Sequence, residues 1–258
     1  MKTVILAGGL GTRLAEETDV RPKPMVEIGG YPILWHIMKH YAHYGHEEFV
    51  LALGYKGDVI RRYFLEYSTF RSNIRIDLRT GQVSLDERTQ AEPWIVHLVE
   101  SGSGTNTGGR LLAVKPWVAD GPFFLTYGDG VSNINLSELL EFHRSHGCIA
   151  TVTAVRPPAR FGALDLTGDG VTEFSEKSQV VEGWINGGFF VFEPEIFDYL
   201  SSFDDSLERD ALARIAAEGQ LRAFRHDEFW QCMDTLRDVR MLEQLWQSQR
   251  PPWKMWPS

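Results

Sequence analysis

We predict an α/β fold for this chain, in which helices cover a mostly parallel sheet and a smaller α+β portion lies toward the C-terminus. Up to about residue 156, short apolar runs alternate with segments whose apolar residues recur at helical spacing. This alternation is typical of a parallel sheet with crossover helices. The second half mixes strands, a hairpin and helices. With 258 residues, 43% of them hydrophobic, the chain is long enough to bury a sizeable core.

The first half begins with a buried strand at 3–7, because an apolar run there ends in two glycines. A loop that contains glycines and prolines follows, up to residue 30. Helices are predicted at 32–45, 58–67, 107–118 and 136–147, and further strands at 47–55, 122–130 and 149–156. Residues 73–100 contain alternating stretches and a Thr80-Gly81 turn, which predict strands or a ribbon.

The second half is less regular. We predict a hairpin at 161–177 around a glycine-rich turn, a strand at 185–192, a helix at 206–219, extended segments at 221–226 and 229–235, and a last helix at 235–248. The chain contains no internal repeat, no low-complexity tract and no obvious linker. We therefore expect residues 1–258 to form a single domain.

Charge and composition argue against several classes of function. The chain has 26 basic and 35 acidic side chains, a net charge of -9 and no basic stripe, which argues against a nucleic-acid partner. No apolar run approaches the roughly 20 residues that span a bilayer, so we expect no membrane partner. Cys148 and Cys232 form neither a disulfide framework nor a metal pattern. We therefore expect a cytoplasmic protein.

The most informative segment is the glycine loop of residues 8–13, which directly follows the first strand. Glycines allow backbone N–H groups to approach a ligand closely, and concave arrays of N–H groups bind anions. The segment does not match the P-loop pattern G-x-x-x-x-G-K-[ST]. It also fails the dinucleotide pattern G-x-G-x-x-G, because Leu14 stands where the third glycine belongs. Phosphate binding in another arrangement and a plain strand-to-helix turn remain as alternatives.

Two cations accompany the glycine loop. Arg13 ends its Gly-Thr-Arg sequence, and Lys23 lies between Pro22 and Pro24. An arginine offers a planar fork to phosphate oxygens, whereas a lysine offers a compact point charge. The two prolines restrict the backbone at Lys23 and therefore the direction of its amine. We interpret both cations as phosphate ligands, with a solvated surface lysine as the alternative for Lys23.

The segment from Gly8 to Leu34 resembles the signature of the sugar-phosphate nucleotidylyltransferases, which is roughly G-G-x-G-T-R-L, a spacer and P-K-P-M. The resemblance continues to the C-terminus. It implies a Rossmann-like fold of the glycosyltransferase-A type, with a nucleotide-binding part at about 1–135 and a sugar-phosphate-binding part at about 136–258. The residues that it assigns to the nucleotide are Leu6, Ala7, Gly8, Gly9, Gly11, Thr12, Arg13 and Lys23. Arg13 would contact the leaving phosphates and Lys23 the reacting phosphate.

Two aspartates are candidate metal ligands. Asp129 lies between two glycines after an apolar strand, and Asp234 precedes the last helix. From the sequence alone, Asp129 also fits a turn and Asp234 fits the N-cap of that helix. The family resemblance favours a pair that binds one Mg²⁺ together with phosphate oxygens. Asp165 and Asp169 are rivals, although Asp169 fits a hairpin turn better.

The resemblance also implies a sugar-phosphate site in the second half. Its residues are Gly162, Glu176, Lys177, Asn186 and Gly187. Glu176 would accept hydrogen bonds from sugar hydroxyls, and Lys177 would contact the sugar phosphate. The family usually has proline after this pair, where this chain has Ser178. On spacing alone, Glu176 and Lys177 are an ordinary solvated pair.

Within that family, several segments resemble the members that use CTP and glucose 1-phosphate. They are Glu92-Pro93-Trp94, Thr107-Gly108-Gly109-Arg110, Tyr127-Gly128-Asp129-Gly130, Phe229-Trp230-Gln231, Met233-Asp234-Thr235 and Pro252-Trp253-Lys254. Thr105, Thr107 and Arg110 are then candidate nucleotide ligands. A flexible loop is the alternative for that segment, because serine and glycine precede it.

The resemblance therefore implies an Mg²⁺-dependent enzyme that transfers CMP from CTP to α-D-glucose 1-phosphate by in-line displacement. Arg13, Lys23 and Asp129 are the catalytic candidates, and the product would supply CDP-linked deoxysugars of surface polysaccharides. We expect a homo-oligomer. The alternatives are an enzyme that uses UTP or dTTP, a non-catalytic subunit that binds nucleotide sugars, and a nicotinamide-dependent dehydrogenase, which lacks its full motif.

Overall fold

The computed structural model describes residues 1–11, 14, 20–85, 92–157, 163–167, 170–175 and 183–257. The strands are β1 (Thr3–Leu6), β2 (Glu27–Ile28), β3 (Tyr31–Pro32), β4 (Glu48–Leu53), β5 (Ile74–Asp77), β6 (Gln82–Leu85), β7 (Ile95–Glu100), β8 (Phe123–Tyr127), β9 (Gly130–Ser132), β10 (Ala150–Val155), β11 (Ala163–Thr167), β12 (Gly170–Ser175), β13 (Ile185–Phe192), β14 (Leu221–His226) and β15 (Trp230–Cys232). The α-helices are α1 (Ile33–His43), α2 (Gly57–Leu65), α3 (Tyr67–Arg71), α4 (Thr107–Val118), α5 (Leu136–His146), α6 (Ala213–Ala217) and α7 (Leu236–Gln247). Short 3₁₀ segments lie at Lys23–Met25 and Pro194–Tyr199, and π-helical turns at Leu207–Leu212.

One seven-stranded sheet, in the order β14-β10-β13-β8-β1-β4-β7, takes strands from both halves of the chain. Strands β8, β1, β4 and β7 run parallel to one another, and β10 runs parallel to β14. Strand β13 is antiparallel to both of its neighbours, β8 and β10. The predicted mostly parallel sheet is therefore confirmed. Because β13 is reversed, its amino end lies at the same edge as the carboxyl ends of β1, β8 and β10.

Both faces of this sheet are apolar, as expected for strands that are covered by helices on two sides. In β4, Phe49, Leu51 and Leu53 pack on one face with α1 and α7, whereas Val50 and Ala52 pack on the other with α4 and the π-helical turns. All five side chains are fully buried. Side chains alternate between the faces of an extended strand, so one apolar run supplies both cores. None of the helices within the described ranges is long and apolar enough to cross a membrane.

Within the described residues, four small antiparallel ribbons accompany the main sheet, and one of them pairs β2 with β3. Strands β5 and β6 form the ribbon predicted within 73–100, and β11 and β12 form the predicted hairpin. Strands β9 and β15 pair beyond the carboxyl end of β8, with Cys232 opposite Gly130. The Met233 N–H continues this pairing, because it donates to the Asp129 carbonyl at 2.8 Å. The ribbon of β9 and β15 therefore brings the segment before α7 next to the end of β8.

The helix predicted at 206–219 is only partly α-helical. It begins with the π-helical turns Leu207–Leu212 and becomes α-helical over α6. Ser206 starts the segment: its hydroxyl accepts from the Arg209 N–H at 3.3 Å, and its own N–H donates to the Asp210 carboxylate at 2.7 Å. Because π-helical turns are rare and often lie at functional sites, this segment is a candidate for a functional role.

The N-cap of the last helix, α7, lies one residue later than the candidate Asp234. Thr235 is the N-cap, because its hydroxyl accepts from the Asp238 N–H at 3.3 Å. In return, the Asp238 carboxylate accepts from the Thr235 N–H at 2.8 Å. This capping box corrects the N-cap interpretation of Asp234, since two side chains already satisfy the helix end without it.

Candidate active site

A cavity of about 520 Å³ opens at the edge of the sheet where β1 and β8 end and β13 begins. Ligands of open α/β sheets bind at this edge, outside the carboxyl ends of the strands. The sequence-predicted residues in its wall are Leu6, Ala7, Gly8, Gly9, Gly11, Lys23, Thr107, Arg110, Asp129, Asn186, Gly187 and Asp234. The fold thus brings together candidates from the predicted nucleotide, metal and sugar-phosphate sites.

Some predicted residues are not part of this wall. Thr105 lies outside it, beside Gly102 in the loop after β7. The candidates that fall outside the described residues are Thr12, Arg13, Gly162, Glu176, Lys177 and Asp169, together with the side chain of Asp165. Their roles stay predictions.

Lys23 lies on a short 3₁₀ turn whose shape follows from its proline neighbours. Pro22 is extended, with φ -68° and ψ 151°, and Pro24 lies within the turn. The turn packs closely on the end of β8, because a Cβ at Gly128 would lie only 2.9 Å from Pro24 Cγ. These contacts hold the Lys23 backbone against the cavity, as its proline flanks predicted.

The Lys23 ammonium lies between two carboxylates. Its Nζ donates to Asp129 Oδ2 at 2.6 Å and to Asp234 Oδ1 at 2.5 Å. The Lys23 side chain is 11% exposed. Burial acts to lower the pKa of Lys23, but attraction and hydrogen bonds from Asp129 and Asp234 outweigh it, so the pKa is raised. Lys23 therefore carries its positive charge throughout the neutral pH range.

Asp129 and Asp234 form a donor set that fits a divalent cation. Because both contact the same nitrogen, their contacting oxygens lie within about 5 Å of each other. Both residues line the cavity, where a phosphate group of a ligand can reach them. Mg²⁺ is typically bound by one or two carboxylates together with phosphate oxygens and water. The predicted metal pair thus lies side by side although its members are remote in the sequence.

Arg110 packs against the glycine loop from inside the fold. Its Nη1 donates to Ser101 Oγ at 2.9 Å and to the Gly102 carbonyl at 3.0 Å. The residue is only 5% exposed. Burial lowers the pKa of Arg110, and attraction to Glu100 partly opposes this shift. The guanidinium therefore fastens the loop after β7 to the wall of the cavity.

We expect Gly8→Ala to lower the free energy of unfolding by about 1–3 kcal/mol, because the site has no room for a side chain. A Cβ at Gly8 would lie 2.0 Å from Arg110 Nη1 and 2.9 Å from the Gly54 backbone nitrogen. Gly9→Ala is the matched control, since no atom of the described residues outside its chain neighbours lies within 4 Å of a Cβ at that position. Thermal unfolding followed by circular dichroism measures both. Equal melting temperatures for the two variants would contradict the expectation.

The Gly108-Gly109 pair has a packing role in the first turn of α4. A Cβ at Gly109 would lie 2.1 Å from the Phe203 carbonyl oxygen, and one at Gly108 2.7 Å from the Asp205 carbonyl oxygen. Both glycine N–H groups donate to the Asp205 carbonyl, at 2.9 Å and 3.2 Å. The glycines thus let two backbones approach closely, which places Thr107 at the cavity.

Sequence reasoning did not assign Tyr127, Trp230 and Glu208 to the site. Tyr127 and Trp230 line the cavity, and Trp230 Nε1 donates to the Gly187 carbonyl at 2.7 Å. Glu208 accepts from the Tyr127 hydroxyl at 2.5 Å. The position of Tyr127 at the carboxyl end of a predicted strand could have indicated that it lines the ligand site. Glu208 had none, since it lay within an apparently ordinary helix.

Cys232 also lines the cavity, but its chemistry is that of a neutral thiol. Its Sγ lies 3.6 Å from Asp234 Oδ2. Burial raises the pKa of Cys232 to about 12, and the negative charges of Asp234 and Asp129 add to the effect. A thiolate, not a thiol, is the nucleophile, so this cysteine is unsuited to covalent catalysis at neutral pH.

The fold and the cavity define a class of protein whose ligand site lies at the carboxyl edge of a Rossmann-like sheet. Residues 2–247 match the family described as Nucleotidyl transferase. The chain therefore belongs to this family, which confirms the resemblance predicted from the glycine loop and Lys23. Members of the family generally use a divalent metal, a property that Asp129 and Asp234 fit.

Individual relatives define the position within the family more narrowly. The chain is 48% identical over 257 residues to the glucose-1-phosphate cytidylyltransferase of Salmonella typhimurium, covering 99% of this chain and 100% of that protein. It is 43% identical over 257 residues to the probable glucose-1-phosphate cytidylyltransferase of Bacillus subtilis, with the same coverage. The crystal structure of HddC from Yersinia pseudotuberculosis, 24% identical, superposes with a TM-score of 0.68 over 95% of this chain and 99% of that one. This similarity confirms the predicted fold.

Proposed function

We propose that this protein transfers CMP from CTP to α-D-glucose 1-phosphate, which yields CDP-glucose and pyrophosphate. The observation that carries the proposal is the 48% identity, over nearly the whole chain, to a glucose-1-phosphate cytidylyltransferase. The cavity supports it, because its volume of about 520 Å³ lies within the range of small-molecule sites. The product would then serve reactions that build CDP-linked deoxysugars for surface polysaccharides.

The proposed reaction is a direct displacement at phosphorus. An oxygen of the glucose 1-phosphate attacks the α-phosphorus of CTP, a new P–O bond forms, and the bond to the β-phosphate oxygen breaks with departure of pyrophosphate. Catalysis of this kind depends on positioning and on stabilisation of negative charge. Lys23 supplies a fixed positive charge at the proposed α-phosphate position, and Arg13 would hold the leaving pyrophosphate.

We propose Mg²⁺ as the metal, held by Asp129 and Asp234. When held by Asp129 and Asp234, Mg²⁺ would neutralise negative charge on the phosphates of the substrate. The two aspartates contact the ammonium of Lys23. A metal held by them and Lys23 would therefore stabilise negative charge on the same phosphate group of the substrate. A chelator should therefore abolish turnover, and added Mg²⁺ should restore it.

Asn186 and Gly187 would face the sugar phosphate. Both line the cavity at the amino end of β13, on the side away from the glycine loop. Asn186 Oδ1 accepts from the Gly188 N–H at 2.8 Å, so its amide group is fixed in one orientation. Gly162, Glu176 and Lys177 would complete this side as the family resemblance implies.

The decisive experiment mixes the protein with Mg²⁺, glucose 1-phosphate and each nucleoside triphosphate in a separate reaction, and measures pyrophosphate. We expect CTP to give kcat/KM at least about tenfold above UTP and dTTP, because a site that hydrogen-bonds one base rejects analogues that leave its polar groups unpaired. Preference for UTP or dTTP would replace the proposed substrate by one of its alternatives. Binding without pyrophosphate release from any nucleotide would indicate the non-catalytic subunit.

The homo-oligomer and the cytoplasmic location stay predictions. The ribbon of β5 and β6 supports the first, because Ile74, Ile76 and Val83 share one face and are 39%, 55% and 56% exposed. Exposed apolar faces of this kind are typical of protein contacts.

A further inference from the structure

Glu208 is a half-buried carboxylate that accepts three side-chain hydrogen bonds. Its Oε1 accepts from the Tyr127 hydroxyl at 2.5 Å. Its Oε2 accepts from Thr107 Oγ1 at 2.7 Å and from Ser206 Oγ at 2.9 Å. It belongs to the π-helical turns Leu207–Leu212 and is not itself part of the cavity wall. Two of its three donors, Tyr127 and Thr107, are part of that wall.

Through Tyr127, Glu208 determines how Asn186 is oriented. The Tyr127 hydroxyl gives its only proton to Glu208, so its oxygen can accept from Asn186 Nδ2, which lies 3.3 Å away. Asn186 Oδ1 accepts from the Gly188 N–H at 2.8 Å. Both ends of the Asn186 amide are thus held, and the oxygen and nitrogen cannot exchange places without loss of a hydrogen bond.

Through Thr107, the same carboxylate orients a second side chain that lines the cavity. Thr107 Oγ1 donates to Glu208 and accepts from the Leu207 N–H at 2.9 Å. Thr107 is the first residue of α4, where the Gly108-Gly109 contact with the 203–205 backbone already fixes the main chain. One carboxylate therefore orients cavity side chains that come from α4, β8 and β13.

We propose that Glu208 is a positioning residue that couples the two substrate sites, holding Thr107 on the CTP side and the Tyr127–Asn186 pair on the glucose 1-phosphate side. This inference rests on the proposed function. The ionised form of the Glu208 carboxylate is the one that accepts all three hydrogen bonds. Burial acts to raise the pKa of Glu208, but the hydrogen bonds from Tyr127, Thr107 and Ser206 outweigh it, so the pKa lies below its usual value. Glu208 is therefore ionised at neutral pH.

Glu208→Gln tests the coupling with a side chain of the same shape. A glutamine has one acceptor oxygen, so its NH₂ group must face either Tyr127 or the Thr107 and Ser206 hydroxyls. Whichever side it faces, a donor loses its acceptor and rotates. We expect KM to rise about tenfold for at least one substrate, since a lost hydrogen bond to a charged group has about this effect. Tyr127→Phe should raise KM for glucose 1-phosphate and leave KM for CTP unchanged.

The double variant Glu208→Gln/Tyr127→Phe should raise KM for glucose 1-phosphate no further than the worse single variant, because both changes break one relay. A merely structural role of Glu208 would lower the active fraction, and thus the apparent kcat, without a change in either KM. Unchanged KM values in Glu208→Gln, or fully additive effects in the double variant, would overturn the inference. Glu218→Gln is the matched control, because Glu218 accepts from the Tyr199 hydroxyl at 2.5 Å in an exposed pair that is not part of the cavity wall.

The wild-type protein, assayed with CTP and glucose 1-phosphate in the same series, separates this inference from the proposed function. Absence of pyrophosphate release by the wild type would overturn the proposed function. Wild-type release together with unaltered KM values in Glu208→Gln would overturn only the role of Glu208.

Discussion

Lys23→Ala is expected to lower kcat for pyrophosphate release by at least about a hundredfold, while the protein remains folded. The Lys23 ammonium is the positive charge between Asp129 and Asp234 in the cavity wall. Its removal would leave two carboxylates facing the phosphates of the proposed substrate. The fold should persist because Lys23 lines the cavity and is not part of either apolar core.

Lys39→Ala is the control for Lys23→Ala, since Lys39 Nζ contacts Glu92 Oε2 at 2.9 Å in an ion pair that is not part of the cavity wall. Steady-state kinetics and circular dichroism are measured on both variants. Because the pKa of Lys23 is raised above 10.5, its charge and the stability that its ion pairs contribute are present at neutral pH. They would be lost only as the pH rises through that raised pKa. Near wild-type turnover in Lys23→Ala would refute its catalytic role.

Asp129→Asn should abolish metal-dependent turnover, with a loss of at least about a hundredfold in kcat. The substitution keeps the shape of the side chain and removes its charge. A cation would then meet one carboxylate, Asp234, beside the positive charge of Lys23. The backbone carbonyl of residue 129, which accepts from the Met233 N–H, is unaffected, so the ribbon of β9 and β15 should stay intact.

Two measurements separate this loss from misfolding. Binding of Mn²⁺ in the presence of CTP, followed by electron paramagnetic resonance, should weaken in Asp129→Asn and in Asp234→Asn. Asp120→Asn is the control, because Asp120 lies in an exposed pair with Lys2 at 3.4 Å, outside the cavity wall. Turnover in Asp129→Asn with the metal dependence of the wild type would remove Asp129 from the metal site.

Much of the fold follows from local patterns. The strand at Thr3–Leu6, the helix at Ile33–His43 and the alternation through the first half are where apolar periodicity predicts them. The prediction of an α-helix at 206–219 was partly wrong, because the first turns of this segment are π-helical. Periodicity alone does not distinguish a π-helical start from an α-helical one, since the difference is where the backbone hydrogen bonds close.

The candidate site was predictable where its residues lie in short motifs. The glycine loop and Lys23 belong to one continuous segment, so one stretch of sequence carries both the anion-binding pattern and the family resemblance. Asp234 was ambiguous, because any aspartate before a helix fits an N-cap. Only the capping box of Thr235 and Asp238 showed that the helix is capped without it. Glu208 gave no local signal, because its partners Tyr127 and Thr107 lie in distant segments.

The sequence by itself determined the succession of strands and helices along the chain and the chemical types of the residues at the strand ends. These depend on side-chain size, polarity and backbone preference within a few neighbouring residues. The tertiary structure decided which of these residues meet. The reversal of β13 brings Asn186 to the edge where β1 and β8 end, and the pairing of β9 with β15 sets Asp234 beside Asp129. Such contacts depend on strand order and register across the whole sheet, which no local stretch of sequence contains.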